Sequence, residues 1–534
     1  MKKTLALLLL LAILFAPSLF ADDTKHDERQ NIFSKTKRLF TFQNSDFSLG
    51  KNFLDSKNSF GPRSDLSLDA SERLESRSQN FISEFKLAKA PSGFFYFSHI
   101  PRTVKIQKRD YLSAGLETLG VNVSVWLYDK YILRADWADI SINSIINNIK
   151  QGFYWDSNSF LCNQFEHPFH GAMFFTAARI NGFSFWESTV FPFLGSTLWE
   201  LALENNKPST NDNIVTPLGG ILLGEALLRT AELIIDENSK GFERAVREVA
   251  SFIVNPVHGL DRLMKRREGK DLRAEHDYNF SIPLGCSISL DAKPSLMIAA
   301  DLDYEDALRK NSSGIRPYDY FTLDFKLGLY QRYGFRDKEF SVRGILAGRR
   351  LDFSPSSKGL EGLFGQFDYV DTAVGGMISS IGAGYGLMAK FDFDSDYFLR
   401  TNGILALMIG GCSSSLALEY GDGIFRKYGE VFQLEGSKPY YLGPGLSAKM
   451  AMEFGKRGMG SVGFSFRKYW IYSIFATNAA ERISNLMLRM KYEITASSQV
   501  SVEYDWYLRD STYRREYAIF KNKSSLKVFY IFKF

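Results

Sequence analysis

The carboxyl-terminal half of the chain alternates apolar and polar residues with a period of two. Leu486, Leu488 and Met490 are apolar, for example, while Arg489 and Lys491 are the charged residues among them. Successive side chains of a β-strand point to opposite faces, so this pattern predicts a strand with one apolar and one polar face. Comparable patterns occupy residues 278–288, 296–304, 321–329, 446–454, 500–508 and 526–534.

The whole of region 275–534 predicts a closed antiparallel β-barrel. Soluble half-buried sheets also contain single alternating strands. A long series with charges on the second face is typical of strands that face lipid on one side and a polar lumen on the other. The patterns amount to about twelve strands, and an even number is expected of a closed bacterial barrel.

The last strand of this series has a distinctive ending. Leu526, Val528, Tyr530, Phe532 and Phe534 form one apolar face that runs to the last residue. In this it resembles the closing strand of bacterial outer-membrane β-barrels. The resemblance implies contact with outer-membrane lipid. It also implies that the barrel assembly machinery recognises the strand ending at Phe534.

The amino terminus predicts export. Lys2 and Lys3 precede an apolar run over residues 5–15, and the small residue Ala21 follows. This order is typical of a cleaved signal peptide, so we expect residues 1–21 to be removed. Residues 22–100 are polar and predict a partly ordered periplasmic leader. Beyond the signal peptide, the most apolar stretches contain charged residues, and we expect no transmembrane helix.

Residues 101–270 predict an α-helical domain. Isoleucines recur near helical spacing within 135–150, and further helices are predicted over 171–181 and 185–205. Thr216-Pro217 predicts a helix start, because Thr can cap free amides and Pro is favoured at the first helical position. Asn255-Pro256 predicts the end of the next helix.

The predicted fold class is therefore α+β, with an amino-terminal α-helical domain followed by a carboxyl-terminal antiparallel transmembrane β-barrel. A barrel of about twelve strands is too narrow to enclose the whole helical domain. We expect most of that domain on the periplasmic side as a cap, with one helix or hairpin entering the lumen as a plug. The net charge of +5 gives no reason to expect nucleic acid as a partner.

Short motifs in the helical domain occur in a specific order and resemble a known family. Residues 155–267 resemble an uncharacterised bacterial family, the domain of unknown function numbered 3943. The resemblance implies an exported, outer-membrane protein and no known reaction, so no catalytic residue is carried over. The motifs include His167-Pro168-Phe169-His170-Gly171, Trp199-Glu200, Pro208-Ser209-Thr210-Asn211-Asp212, Thr216-Pro217-Leu218-Gly219-Gly220 and Asn255-Pro256.

Charged residues in the helical domain lie among large apolar ones, where charges are usually paired. Glu225 and Arg229 are four residues apart on one predicted helix and can pair directly. Together with Arg179 and Glu187, they predict a structural polar network that links helices to one another.

Two further interpretations give these polar residues a chemical role. His167 and His170 are weak candidates for metal ligands, with Glu200 or Asp212 as a third ligand, but Pro168 between them predicts a helix start at this point. The chain has no HExxH motif.

The second interpretation is a nucleophilic hydrolase. Ser188 or Ser196 would be activated by His167 or His170, with Glu187, Glu200 or Asp212 orienting the histidine. Neither serine lies in a GxSxG motif. No nucleotide-binding fingerprint is present, and we expect no cofactor.

The expected function is that of an outer-membrane β-barrel protein with a helical cap or plug, in a structural or transport-related role and in contact with envelope lipid or a periplasmic protein partner. A lipid-acting hydrolase with its site in the helical domain is one alternative. A gated channel is the other, and the sequence does not decide whether the protein is an enzyme.

Overall fold

An amino-terminal set of helices precedes a closed barrel of twelve antiparallel strands, which is the α+β arrangement predicted from the sequence. The predicted signal peptide (1–21) and polar leader (22–100) lie outside the described residues. The computed structural model describes residues 108–155, 158–265, 276–289, 292–308, 314–330, 334–393, 396–413, 424–427, 430–433, 440–473, 479–513 and 517–534.

Among its described residues, the helical domain contains α-helices interrupted by three π-helical turns. The turns span Tyr128–Leu133, Cys162–Glu166 and Trp199–Leu203. The helices are α1 (Tyr111–Leu127), α2 (Ile142–Gln151), α3 (His167–Ile180), α4 (Phe185–Ser188), α5 (Val190–Leu198), α6 (Asp212–Ile234), α7 (Gly241–Val254) and α8 (Pro256–Lys265).

Two helix starts differ from the sequence prediction. Helix α2 begins at Ile142 because Ser141 caps it: the Ser144 amide donates to Ser141 Oγ (3.1 Å), and the Ser141 amide donates to Ser144 Oγ (2.8 Å). Helix α6 begins at Asp212, so the predicted start at Thr216 is wrong. The Thr216 hydroxyl is buried without a hydrogen-bond partner and caps nothing.

The barrel is an up-and-down meander closed by β14 on β1. Chain neighbours pair throughout, except that a separate hairpin, β8–β9, lies between β7 and β10. The prediction of about twelve barrel strands is confirmed. The strands are β1 (Tyr278–Ile288), β2 (Ser295–Tyr304), β3 (Phe321–Tyr330), β4 (Gly334–Asp352), β5 (Lys358–Thr372), β6 (Gly376–Phe393), β7 (Tyr397–Ser413), β8 (Ile424–Lys427), β9 (Glu430–Gln433), β10 (Tyr440–Lys456), β11 (Gly460–Tyr472), β12 (Ala480–Thr495), β13 (Ser498–Tyr513) and β14 (Tyr517–Lys533).

The two faces of the barrel wall can be assigned from exposure and register. On β12 and β13, Met490 and Tyr504 are exposed, whereas Glu503 is buried, so the apolar positions face outward and the charged positions face the lumen. Cross-strand partners share a face. The strand register therefore identifies the outward-facing residues on every strand of the barrel. On β2 to β6 they include the successive cross-strand partners Leu302, Leu323, Val342, Phe367 and Ile381.

The helical domain covers part of this outward face. Val342 and Phe367 point outward yet are fully buried. The Phe165 ring lies 5.8 Å from the Phe340 ring and 5.3 Å from the Tyr369 ring, and both partners belong to the outward face. Residues of α3 and α6 belong to the same apolar cluster as the outer wall of β2 to β6.

Polar contacts fix the domain at both ends of the wall. At the rim where β7 ends and β10 begins, Asn163 Nδ2 donates to the Tyr440 hydroxyl (2.8 Å). Toward the other end, Arg229 Nη1 pairs with Asp319 (3.1 Å) and Nη2 donates to the Pro317 carbonyl (3.0 Å). The helical contacts of the described residues thus lie on the outer wall. The predicted plug in the lumen is not confirmed.

Helices α3 and α6 cross at glycine residues. A Cβ on Gly171 would lie 2.0 Å from the Thr216 carbonyl oxygen, and a Cβ on Gly220 would lie 2.3 Å from the Gly171 carbonyl carbon. Two backbones can approach this closely only where neither residue has a side chain. The crossing brings the starts of α3 and α6 together.

Charged side chains of the barrel strands pair with one another across the lumen. Lys326 of β3 pairs with Glu503 of β13 (3.5 Å), and Lys527 of β14 pairs with Glu339 of β4 (3.3 Å). In each case three other strands separate the two partners along the barrel wall. These ion pairs therefore bridge the interior rather than line it.

Candidate metal centre in the helical domain

Three predicted site residues meet at one end of the helical domain. His167 is the first residue of α3, Glu200 lies in the π-helical turn after α5, and Asp212 is the first residue of α6. His167 Nε2 lies 3.4 Å from Asp212 Oδ2. One ligand atom from each of the three residues lies within 4.8 Å of the others.

Irregular helix geometry places two of these residues. The turn Cys162–Glu166 is π-helical, and the His167 amide donates to the Cys162 carbonyl. Pro168 follows directly and has no amide hydrogen, so a regular α-helix through it would lose a hydrogen bond and clash with the preceding turn. Glu200 lies in a second π-helical turn. Such turns are frequent at functional sites.

Local hydrogen bonds hold both carboxylates. The Ser209 amide donates to Glu200 Oε2 (2.6 Å), and Asn211 Nδ2 donates to Asp212 Oδ1 (3.2 Å). Asn148 Nδ2 donates to the Glu200 carbonyl oxygen (3.3 Å). Nothing in the amino-acid pattern points to Asn148, whereas Ser209 and Asn211 belong to a motif of the resembled family next to Asp212.

The arrangement suits a divalent cation. Two ligands at bond lengths of about 2.1 Å lie about 3.4 Å apart in tetrahedral coordination, as His167 Nε2 and Asp212 Oδ2 do. One imidazole nitrogen with two carboxylate oxygens is a donor set for divalent ions such as Zn²⁺ or Mn²⁺. Glu200 and Asp212 are buried, and His167 is partly open to the surface.

His170, the other predicted metal ligand, is not in this group. Its ring lies against Phe174 (4.5 Å between centroids) and Trp199 (5.2 Å), and its Nε2 is buried without a hydrogen-bond partner. Despite their three-residue spacing, the two imidazoles have different surroundings: that of His167 faces Asp212, and that of His170 packs among aromatic rings. The predicted His167–His170 ligand pair is therefore not formed.

Neither candidate serine meets a histidine. The Ser188 hydroxyl donates to the Ser184 carbonyl of its own helical turn (2.8 Å). The Ser196 hydroxyl points to the Asp212 carbonyl at 3.5 Å. The predicted nucleophile–base contact is therefore not formed for either serine, and the geometry favours a metal over a serine triad.

The structure brings together most of the predicted polar network. Glu225 accepts a hydrogen bond from Arg179 Nε (2.6 Å) and pairs with Arg229 Nε (3.0 Å). Arg229 continues to Asp319, so the network joins α3, α6 and the barrel. Glu187 lies apart from it, because it caps α4 through Ser184 and pairs with Arg109 (2.8 Å).

Comparison with known proteins confirms the resemblance found in the sequence. Residues 152–257 match the family described as Domain of unknown function (DUF3943). No curated protein matches the chain. The match includes all three residues of the candidate metal centre and gives them no role.

Among solved structures, similarity is limited to the barrel fold. The match to the NanC porin covers 48% of this chain and 100% of the porin chain, at 8% identity and a TM-score of 0.27. The match to an outer membrane channel from Pseudomonas putida F1 covers 48% of this chain and 93% of the channel, at 9% identity and a TM-score of 0.24. The match to Omp33 of Acinetobacter baumannii covers 48% of this chain and 98% of Omp33, at 14% identity and a TM-score of 0.19.

Proposed function

We propose that this protein resides in the outer membrane and that its barrel is a non-conducting anchor for the helical domain. The observation that carries this proposal is the set of ion pairs that bridges the lumen. Lys449 of β10 and Asp368 of β5 add to the Lys326–Glu503 and Lys527–Glu339 pairs, and all of these side chains are largely buried.

The bridging ion pairs argue against an open diffusion pore and against a gated channel. The lumen of an open porin is polar and filled with water, so its charged side chains are solvated. Here the charges are satisfied by one another, and Gln366 of β5 also bonds across to Ser447 of β10. A gated channel would need an obstruction that can move out of the lumen. Here the obstructing side chains belong to the barrel strands themselves.

Conductance tests the proposal. We expect the purified full-length protein to produce no stable current steps in a planar lipid bilayer. We expect Lys449→Ala combined with Lys527→Ala to introduce detectable conductance, because two bridging side chains are shortened. An open porin measured in the same bilayers is the positive control. Steady steps from the wild type would refute the anchor proposal.

A metal-dependent activity of the helical domain is a second candidate function. The convergence of His167, Glu200 and Asp212 favours it. A divalent ion held there would supply Lewis-acid chemistry suited to ester or phosphoester hydrolysis. Envelope lipids carry both bond types, so this is the metal-dependent form of the lipid-acting hydrolase.

Metal content tests the candidate centre. After removal of metal with a chelator and incubation with Zn²⁺ or Mn²⁺, the wild type should retain a single ion per chain by mass spectrometry. Asp212→Asn and Glu200→Gln should weaken binding by more than the roughly 10- to 100-fold typical of outer hydrogen-bonding partners. His276→Ala is the matched control, because His276 pairs with Asp306 on another element. Equal retention by Asp212→Asn would eliminate the centre.

A further inference from the structure

Helix α1 has its apolar side on the outside. Leu112, Leu116 and Leu119 are 73%, 57% and 43% exposed, whereas Thr118 and Asn122 are buried. A helix on the surface of a soluble domain has the opposite arrangement, with apolar residues toward the core. All the exposed positions of α1 are uncharged, namely Tyr111, Leu112, Gly115, Leu116, Leu119, Gly120, Val123, Ser124 and Leu127.

The segment from α4 to α5 also exposes a set of apolar side chains. Its buried positions include Ser196 and, in the following turn, Glu200, as well as the apolar Phe185 and Trp199. The two apolar faces are not covered by any described residue. Monomeric soluble proteins rarely expose large contiguous apolar patches, and such patches mark sites of contact with protein or membrane. The exposed apolar side chains of this segment are Trp186, Val190, Phe193, Leu194 and Leu198.

The contacts between the helices are also those of membrane proteins. In lipid, helices associate through small residues that let backbones approach and through polar side chains that bond across the interface. Gly171 and Gly220 provide the close approach between α3 and α6. Asn122 Nδ2 donates to the Gly195 carbonyl of α5 (3.2 Å), and Arg179 pairs with Glu225.

The position of the helical domain identifies what covers these apolar faces. Through α3, α6 and the turn before α3, the domain docks on the outward face of the barrel. Elsewhere on the wall that face is an exposed apolar surface, where Leu407 and Met490 are 72% and 64% exposed. The contacts of the domain extend from Tyr440 at one rim to Asp319 near the start of β3. The 17 residues of α1 are about 25 Å long, which matches the apolar band of a transmembrane barrel.

We infer that α1 and the segment from α4 to α5 are immersed in the bilayer beside the barrel, with their outer apolar faces in contact with lipid hydrocarbon. The inference rests on the proposed outer-membrane location and replaces, for these helices, the periplasmic placement expected from the sequence. The occupant of both faces is lipid, because the helical domain docks on the barrel face that meets lipid elsewhere. The polar contacts between these helices, such as that of Asn122 with the Gly195 carbonyl, are then enclosed within the bundle.

Spin-label accessibility tests this placement. Full-length protein with Cys162, Cys286 and Cys412 replaced by alanine receives one new cysteine, by Leu116→Cys or Leu194→Cys. Each labelled variant is reconstituted into phosphatidylethanolamine–phosphatidylglycerol vesicles. Power saturation then compares collisions with oxygen, which concentrates in hydrocarbon, and with a water-soluble nickel chelate. Leu488→Cys on the outward face of β12 is the lipid control, and Arg457→Cys, a 47% exposed charged position in the turn between β10 and β11, is the water control.

We expect the oxygen-to-nickel ratio at positions 116 and 194 to match that at 488 and to exceed that at 457 severalfold. A ratio at 116 and 194 equal to that at 457, with 488 still in lipid, would overturn the immersion and leave an aqueous domain whose exposed apolar faces bind protein. A low ratio at 488 as well would refute the proposed membrane location itself. The two labelled helices provide independent readings if one variant fails to fold.

Discussion

Gly171→Ala should lower the unfolding temperature of the helical domain more than any other single methyl addition at a described position of that domain. The added Cβ would lie 2.0 Å from the Thr216 carbonyl oxygen and 3.1 Å from the Gly220 Cα. Backbone cannot yield as a flexible side chain can, so we expect a loss at or above the upper end of the about 1–3 kcal/mol typical of overpacking. Far-ultraviolet circular dichroism during heating in detergent measures it.

Gly115→Ala is the matched control for that substitution. Gly115 is also helical, but nothing lies within 4 Å of its added Cβ. Removing a helical glycine there should stabilise α1 by about 0.5–1 kcal/mol. Equal losses in both variants would mean that the α3–α6 crossing is looser than the glycine contact indicates.

Glu225→Ala should be the second most damaging change, and its effect should not add to that of Arg229→Ala. Glu225 is buried and accepts hydrogen bonds from both Arg179 and Arg229. Its removal leaves two guanidinium groups without their shared partner, which typically costs about 3–5 kcal/mol for a buried pair. Once Glu225 is gone, removing Arg229 also removes an uncompensated charge, so the double variant should lose less than the sum.

A double-mutant cycle of unfolding free energies measures this coupling, which we expect to fall between about 0.5 and 3 kcal/mol. Arg244→Ala is the control, because its contacts with Glu237 and Glu248 are long, at 3.8 and 3.9 Å, and Arg244 is half exposed. Exposed pairs of this kind contribute at most about 1 kcal/mol. Strict additivity of Glu225→Ala and Arg229→Ala would show that the network does not act as a unit.

The barrel was predictable because its signal is local. Alternation within a strand such as β12 assigns each side chain to a face, and the charged face of Arg489 and Lys491 is indeed the lumen side. The helical domain was predictable as helical for a related reason. Its docking was not, because Leu302 or Phe325 has the same apolar character whether lipid or protein covers it.

Part of the candidate site was also visible in the sequence. His167, Glu200 and Asp212 were among the candidates, but their convergence depends on two π-helical turns and a crossing of α3 over α6, which are tertiary features. The sequence spacing makes His170 as good a ligand candidate as His167. Only the folded structure distinguishes them, because the His170 ring packs against Phe174 and Trp199. Inversion of α1 could have been found from Leu112, Leu116, Leu119, Val123 and Leu127, which form one stripe without any charge.

The charges between these helices would also bear on export to the proposed outer-membrane location. By length and composition, α6 could cross a membrane, and such a segment risks being halted in the inner membrane of an exporting cell. On insertion scales, one arginine in a helix costs up to about 2.5–3.5 kcal/mol, most at the helix centre, which offsets several leucines. In an exported chain, Arg229 in α6 would therefore favour passage of the unfolded helix through the translocon. Its charge is paired with Glu225 and Asp319 only in the folded structure.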